Sequence, residues 1–216
     1  MKPENRPECD KVTGIETLVQ RVLDLPQDAV RRLIAIAGAP ASGKSTLATD
    51  LTQTLKNAGR KAQLVSMDGF HLDNSVLQGR ELLSRKGAPE TFDAEGFIVL
   101  MDRLKAGGEI VCPTFDRARD LSVAGAAVIN ADCDLAVVEG NYLLFDEAPW
   151  RSLTGIWDFS IWCDTPESVL LERCVQRWLD RDHTPEEARA RAESNDMANA
   201  RRIIGARLPA DVYFTV

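Results

Sequence analysis

A glycine-rich segment between two apolar stretches has the composition of a phosphate-binding loop. It comprises, in chain order, Gly38, Ala39, Pro40, Ala41, Ser42, Gly43, Lys44 and Ser45, and Thr46 follows it. Glycines let a backbone wrap closely around phosphate, so that N–H groups and the next helix N-terminus point at the anion. In such a loop the lysine reaches the β- and γ-phosphates and the hydroxyl after it binds Mg²⁺. The motif predicts a site for a nucleoside triphosphate and Mg²⁺.

Two acidic residues stand at the ends of further apolar runs. Asp68 follows residues 63–67, and Glu139 follows residues 135–138. A carboxylate at the first position can accept a proton from a substrate hydroxyl that attacks the γ-phosphate. The alternative is a turn-forming aspartate before Gly69. Glu139 holds the place of an acid near Mg²⁺ and its waters, although an exposed residue at the strand end would look the same.

Arg173, Arg177 and Arg181 recur every four residues and therefore share one face of a predicted helix. Such a row could close over a triphosphate and stabilise charge on the transferred group. The alternative is a solvated face paired with neighbouring acids. The sequence from residue 180 to residue 195 is polar and buries little apolar surface, which favours mobility. We call residues 173–195 the lid segment.

The elements that must position these residues alternate between strand and helix. Apolar runs at 33–37, 63–67, 135–138, 159–162 and 212–216 predict buried strands, and 110–115 with 126–130 predicts an antiparallel ribbon. Helices are expected at 15–25, 28–32, 46–58, 95–104, 166–182, from 184 and at 196–206. This order predicts a three-layer α/β/α P-loop NTPase with a five-stranded parallel sheet and a helical lid. Residues 1–32 would be an arm with helices, and residues 33–216 the P-loop domain. Ligands of such sheets bind beyond the carboxyl ends of the strands.

Composition limits the partners. The 216 residues carry 26 Lys+Arg against 33 Asp+Glu, a net charge of −7, which argues against nucleic acid as a partner. The five cysteines (Cys9, Cys112, Cys133, Cys163 and Cys174) form no CxxC pair, as expected of reduced thiols in the cytoplasm. No apolar run suits a secretory signal or a membrane span, so we expect no membrane association. A homodimer is compatible with an acidic chain of this size.

The order of the motifs resembles the uridine kinase, phosphoribulokinase and bacterial pantothenate kinase family of P-loop kinases. After the P-loop come Ser66-Met67-Asp68-Gly69-Phe70, Glu90-Thr91-Phe92-Asp93, Pro113-Thr114-Phe115-Asp116, Val138-Glu139-Gly140 and Asp164-Thr165-Pro166, before the arginine row and the terminal strand. The likeness runs from about residue 33 to residue 216. Within the family, the chain looks most like the bacterial group labelled fructose transport system kinases or nucleoside/nucleotide kinase-like proteins.

The resemblance implies an ATP- and Mg²⁺-dependent kinase with a cavity for a small acceptor. It implies that Asp68 is the catalytic base, that Glu139 assists the metal, and that Arg173 and Arg177 contact phosphates from the lid. It also places Phe115, Asp116 and Arg117 near the acceptor. From the residues themselves, His71 would contact substrate or support Asp68, and Phe70 and Phe115 would wall the substrate pocket or belong to the core.

The sequence does not identify the molecule that accepts the phosphoryl group. Uridine kinases carry tyrosines and a histidine after the Pro-x-Phe/Tyr-Asp signal, whereas this chain has Arg117-Ala118-Arg119 there. That difference favours a sugar or an anionic polyol over a nucleoside. The alternatives are a uridine-type or pantothenate-type kinase, or a regulatory P-loop ATPase without a small acceptor. The chain lacks the Asn-Lys-x-Asp motif that a GTPase needs for guanine.

Overall fold

The protein is built on a parallel sheet in a computed structural model that describes residues 10–26 and 28–215. The strands are β1 (Lys11–Val12), β2 (Arg32–Gly38), β3 (Ala62–Ser66), β4 (Ile110–Asp116), β5 (Leu121–Ile129), β6 (Leu135–Gly140), β7 (Phe159–Asp164) and β8 (Val212–Thr215). The helices are α1 (Ile15–Leu23), α2 (Lys44–Asn57), α3 (Asn74–Gly79), α4 (Ala94–Ala106), α5 (Glu167–Leu179), α6 (Pro185–Arg191) and α7 (Met197–Gly205). A π-helical turn, Ala192–Asp196, joins α6 to α7.

Helices cover both faces of this sheet, which confirms the predicted three-layer P-loop architecture. The strand order is β1-β8-β7-β2-β6-β3, and every pairing between neighbours is parallel. Strand β6 is buried along its whole length and β2 beyond its first residue, because each has apolar neighbours above and below. One core packs Leu33 and Val138 against α4, and the other packs Ile34 and Val137 against α1 and α2.

The sheet has six strands, so the prediction of five was wrong by one edge strand. The additional strand is β1, which lies in the segment predicted to be the N-terminal arm. It has only two residues, too few to show a period, and it exists because it pairs with β8 in the register Lys11 to Tyr213. The rest of that arm, Met1 to Cys9, lies outside the described residues, as does Val216 at the end of the last predicted strand. The boundary drawn between residues 32 and 33 stays a prediction.

The short helix predicted at 28–32 was also wrong, because Arg32 already belongs to β2. Its backbone N–H bonds the carbonyl of Asp134 (2.9 Å) at the start of the pairing with β6. Its guanidinium meets Asp158 (2.7 Å), whose other oxygen accepts from the Leu33 N–H (2.8 Å). The preceding Arg31 is fully buried. These side chains need an extended backbone to reach their partners, and that need overrides the local helical pattern.

The predicted antiparallel ribbon is present, but its second strand begins at Leu121, five residues before the predicted start, so that the ribbon pairs Ile110 with Ile129 and Asp116 with Leu121. At the start of α6, the Thr184 hydroxyl accepts from the Glu187 N–H while the Glu187 carboxylate bonds the Thr184 N–H, and Pro185 occupies the first turn. This is the capping box expected from the sequence. Within the described ranges, every helix is too short or too polar to cross a membrane.

Candidate active site

The phosphate-binding loop joins the end of β2 to the start of α2. Gly43 has a φ of 89° and Ala41 a φ of 63°, so the loop turns through left-handed conformations that aim successive N–H groups inward. The segment after β7 holds the loop from outside. The Thr165 hydroxyl donates to the Ser42 carbonyl (3.1 Å), and the Arg173 guanidinium donates to the Ala41 carbonyl (3.3 Å). Lys44 and Ser45 begin α2 and line a cavity above the loop.

Ser45 and Glu139 form a pair of oxygen donors suited to a hard cation. The Ser45 hydroxyl lies 2.9 Å from Oε2 of Glu139, and Oε1 of the same carboxylate is held by the Ser66 hydroxyl. Two neighbouring ligands of octahedral Mg²⁺ at 2.0–2.1 Å lie about 2.9 Å apart, so the spacing fits. In the described part of the chain, no cluster of three His, Cys, Asp or Glu side chains could hold a metal. Mg²⁺ commonly needs only one or two protein groups plus substrate phosphates.

Asp68 lies two residues after the end of β3, in the 3-10 turn Met67–Phe70 at the same edge of the sheet. Its carboxylate accepts from the Arg117 guanidinium (2.7 Å), which comes from the turn between β4 and β5. Gly69 makes this approach possible, since a Cβ there would lie 2.5 Å from the Pro113 carbonyl oxygen. Because that space is closed to any side chain, the ribbon rests on the backbone next to Asp68.

The His71 ring packs at a tilt against two phenylalanine rings, with centroids 4.1 Å from Phe92 and 4.6 Å from Phe115. Its Nδ1 lies 2.8 Å from the Asp68 carbonyl oxygen. Burial lowers the pKa of the imidazole, which outweighs the opposing effect of the Asp68 charge. Phe70 points elsewhere: its ring meets Phe97 edge-on at 5.3 Å and packs on the core, and it does not line the cavity.

Lys86, which the sequence reading did not single out, organises the region beside Phe115. Its ammonium bonds Oδ1 of Asn74 (2.7 Å) and the carboxylate of Asp120 (2.9 Å), and it lies 5.2 Å from the Phe115 centroid. Its carbonyl accepts from Asn195 of the lid segment (3.1 Å). These partners are far apart in sequence and come together only through the fold, so no local motif could have identified them.

Three arginines of the lid segment are grouped with Trp178. The Arg177 guanidinium and the Trp178 indole N–H each bond one carboxylate oxygen of Asp196 at 2.7 Å. Arg181 and Arg191 lie over the Trp178 ring, at 5.2 and 5.1 Å from its centroid. Asp196, which was also missed, sits in the π-helical turn and is largely buried. Such turns often occur at functional sites.

The P-loop, Asp68, Lys86 and the lid segment border one cavity of about 1760 Å³, whereas Glu139 lies buried behind Ser45 and does not line it. A pocket for one small molecule typically measures roughly 300–1,000 Å³, so there is room for two ligands side by side. The structure brings most of the predicted site residues to its wall: Pro40, Ala41, Gly43, Lys44, Ser45, Thr46, Asp68, His71, Phe115, Arg117, Arg173 and Arg177. Asn141, just beyond Glu139, also lines it and keeps a buried Oδ1 without a hydrogen-bond partner.

Charge divides this cavity into regions. We call the part beside Asp68 the acceptor half; its charged lining residues are Asp68, Lys86, Arg117 and Asp120, two of each sign and paired with one another. The part between Lys44 and the arginines of the lid segment is basic, and Asp196, just after that segment, is the acidic residue that lines it there. The basic region suits a triphosphate, and the acceptor half is electrically balanced.

Comparisons with known proteins agree with this geometry. Residues 33–208 match the model of the phosphoribulokinase / uridine kinase family. The solved structure of a "putative fructose transport system kinase" from Silicibacter sp. TM1040 is 51% identical, with a TM-score of 0.89 over 95% of this chain and 100% of that one.

Two curated relatives are more distant. A "putative uridine kinase" of Schizosaccharomyces pombe is 31% identical, and the alignment covers 87% of this chain and 84% of the relative. A pantothenate kinase of Myxococcus xanthus is also 31% identical, over 82% of this chain, but this chain spans only 64% of that longer protein. The P-loop, the strand-end acids and the match over most of the sequence lead to one conclusion: the chain belongs to the phosphoribulokinase/uridine kinase family of P-loop kinases.

Proposed function

We propose that this chain is an ATP- and Mg²⁺-dependent kinase that phosphorylates a hydroxyl of a sugar or a similar small, uncharged metabolite. One observation carries the proposal: the Asp68 carboxylate and the P-loop Lys44 line the same cavity, and Asp68 faces an acceptor half with balanced charge. A base beside the triphosphate region is what transfer to a hydroxyl requires.

In the proposed reaction, Asp68 takes the proton of the acceptor hydroxyl as its oxygen forms a bond to the γ-phosphorus. The bond from that phosphorus to the β,γ-bridging oxygen breaks, and its electron pair leaves with ADP. Lys44 and the loop N–H groups hold the phosphates, and Arg173 and Arg177 stabilise charge on the transferred group. Ser45 and Glu139 would hold Mg²⁺, which neutralises charge on the phosphate oxygens.

The balanced charge of the acceptor half supports an uncharged acceptor. A phosphate or carboxylate on the acceptor would need an unpaired cation, yet Lys86 is already paired with Asp120 and Arg117 with Asp68. Polar neutral groups remain for hydroxyls, namely Ser84 and the unpartnered Oδ1 of Asn141. Phe115 offers an aromatic face on which the apolar side of a sugar ring can pack.

A fructokinase-like activity accords with the description of the Silicibacter structure, and the other relatives name the alternatives of a uridine-type or a pantothenate-type kinase. A regulatory P-loop ATPase without a small acceptor is the remaining alternative. The buried thiols of Cys112, Cys133, Cys163 and Cys174 are free, which supports our proposal that the reaction takes place in the cytoplasm.

The direct test is an acceptor screen that follows ADP release with ATP, Mg²⁺ and hexoses, pentoses, glycerate, pantothenate or nucleosides. We expect one neutral sugar to stimulate turnover, and Lys44→Ala to remove the stimulation. Stimulation by pantothenate or glycerate alone would contradict the proposed neutral acceptor and favour an anionic one. Stimulation by nucleosides alone would favour the uridine-type alternative. Equal ATP hydrolysis with and without every acceptor would favour the regulatory ATPase.

A further inference from the structure

The cavity extends past the P-loop on the side away from Asp68. Its wall there consists of Ile15 at the start of α1, Leu47 and Asp50 of α2, and Phe214 of β8. This part, which we call the nucleoside end, is apolar apart from one carboxylate. Ile15 and Phe214 both lie outside residues 33–208, the span that matches the family model. Their presence at the cavity is therefore a feature that the family match does not account for.

The strand order explains why the N-terminal segment reaches this place. Strand β2, which carries the P-loop, has β6 and β3 on one side and β7, β8 and β1 on the other. All are parallel, so their carboxyl ends share one edge of the sheet. The residues that follow β3 and β6 form the acceptor half. By the same rule, Ile15, three residues after the end of β1, lies at the opposite side of the loop.

The segment is held firmly enough to form a wall. The Tyr213 N–H donates to the Asp10 carbonyl (3.0 Å), and Asp10 also pairs with Arg21 (2.5 Å). Leu18 and Val22 of α1 are fully buried in the core beneath α2, and Ile15 packs against the same core. Ile15 thus has a fixed position and leaves part of its side chain facing the cavity.

We infer that Ile15, together with Leu47 and Phe214, forms an apolar seat for the base of the nucleotide, with Asp50 beside it. The inference rests on the proposed use of a nucleoside triphosphate. An aromatic base gains from contact with apolar side chains. The Asp50 carboxylate repels phosphate and accepts only from donors, such as an exocyclic amine or ribose hydroxyls. With the basic region on one side and this end on the other, the triphosphate can bind in one direction only.

The test compares two ligands on the full chain by calorimetry with Mg²⁺: ATP, and inorganic tripolyphosphate, which has the charges without the nucleoside. Wild type should bind ATP more tightly. Ile15→Ala should weaken ATP about fivefold, because one or two methylene contacts are lost, and should leave tripolyphosphate unchanged. Val19→Ala is the matched control, since Val19 lies on the same helix and in the same core but not at the cavity. It should change neither affinity.

The outcomes separate this inference from the proposed function. In one outcome, wild type binds ATP, and Lys44→Ala weakens that binding, but Ile15→Ala leaves the ratio of ATP affinity to tripolyphosphate affinity unchanged. This outcome would overturn the base seat alone. Equal loss in Val19→Ala would also overturn it, because the effect would then come from loosening α1. Equal binding of ATP and tripolyphosphate by wild type would show that no base is recognised. A wild-type chain that binds no ATP would overturn both proposals.

Discussion

The Asp68 carboxylate is held by Arg117 through one oxygen and lies at the edge of the acceptor half. If it is the base, Asp68→Asn should lower kcat by roughly two to four orders of magnitude, since an amide cannot accept the proton. ATP affinity should be almost unchanged, because the residue faces the acceptor. Steady-state rates with the acceptor found by screening, together with calorimetry on an ATP analogue, measure the two effects separately.

The matched control for this substitution is Asp93→Asn. Asp93 caps α4 by accepting from the Gly96 N–H (3.0 Å), and asparagine is an equally good cap, so neither stability nor rate should change. If Asp68→Asn lowered only the affinity for ATP, Asp68 would be a nucleotide-binding residue and its role as the catalytic base would be refuted.

Lys44 stands at the first position of α2, where its ammonium can meet the phosphates. Lys44→Ala should abolish phosphoryl transfer while leaving the circular dichroism spectrum and the melting temperature close to those of wild type. Lys56→Ala, in the last turn of the same helix and exposed, is the control for loss of a lysine. Near-normal turnover by a folded Lys44→Ala variant would refute the role of Lys44.

The buried imidazole of His71 gives a prediction about pH. Its pKa is lowered in the folded protein, so the unfolded chain binds a proton first as pH falls below about 6.5. The neutral imidazole therefore contributes its full stability above that pH. As the pH falls further, this contribution declines until the pH reaches the lower pKa that His71 has in the folded protein. The slope can reach about 1.4 kcal/mol per pH unit. His71→Asn should flatten the dependence of unfolding free energy between pH 7.5 and 5.5.

Urea titrations at pH 7.5, 6.5 and 5.5 measure that slope, with His183→Asn as the control for loss of a histidine elsewhere. The shifted carboxyls act in a separate window, since the pKa values of Asp116, Asp120 and Asp158 are lowered from 3.8. Their stabilising effect is complete above that value and is lost as pH falls below it. An unchanged slope in His71→Asn would mean that His71 is not the group that titrates.

At the level of single residues, the P-loop could be predicted because its chemistry resides in consecutive residues. Asp68 and Glu139 could be predicted because each ends an apolar run. Lys86 and Asp196 could not, since their partners Asp120 and Arg177 are 34 and 19 positions away and nothing local marks them. Phe70 shows the limit of position alone: it is a near neighbour of Asp68, yet its ring turns into the core.

At the level of elements, the side chain of Arg31 connects several parts of the fold. It is fully buried and donates to the carbonyls of Cys133, Asn130, Gly108 and Leu104 at 2.9 to 3.2 Å, which ties the end of α4 to the ribbon and to β6. Leu104 lies in the last turn of α4, where a cation is favoured. Arg31→Met should lower the free energy of unfolding by about 3 kcal/mol or more, because buried carbonyls lose their donors.

Urea denaturation tests this against Arg103→Met, an exposed arginine of the same helix that should change stability little. Arg31→Lys keeps the charge but has only three donors without the planar fork, so it should lose an intermediate amount. Equal stability of Arg31→Met and Arg103→Met would show that the four carbonyls are satisfied in another way.

The elements differ in how far they could be predicted. The buried strands β2 and β6 follow from continuous apolar runs, and α6 follows from its capping box. Strand β1 could not be found, because two residues gain their conformation only from β8. The helix expected at 28–32 failed for a related reason: the distant partners of Arg31 and Arg32 decide the backbone there. Sequence patterns report local preference, and these two places are set by tertiary contacts.

At the scale of the molecule, the lid segment connects the two ligand regions. Arg173 touches the P-loop at Ala41, and Asn195 touches the acceptor half at Lys86. Between them, Arg177 is bound to Asp196. For Arg177 to contact a γ-phosphate, either the ion pair with Asp196 must break, or α5 must move together with Asp196. A segment linked to both regions would respond most when both ligands are bound.

We therefore predict that residues 173–195 exchange amide hydrogens faster in the free protein than with ATP analogue and acceptor together. The segment buries few apolar side chains, Ala188 and Ala192 among them, so local opening should be easy. Closure would exclude water and protect ATP from hydrolysis until an acceptor is present.

Arg177→Ala should slow transfer with only a modest change in ATP affinity, because its contact would strengthen in the transition state. Arg189→Ala, exposed on α6, is the control. Equal protection with and without ligands would leave the arginine row as a solvated face.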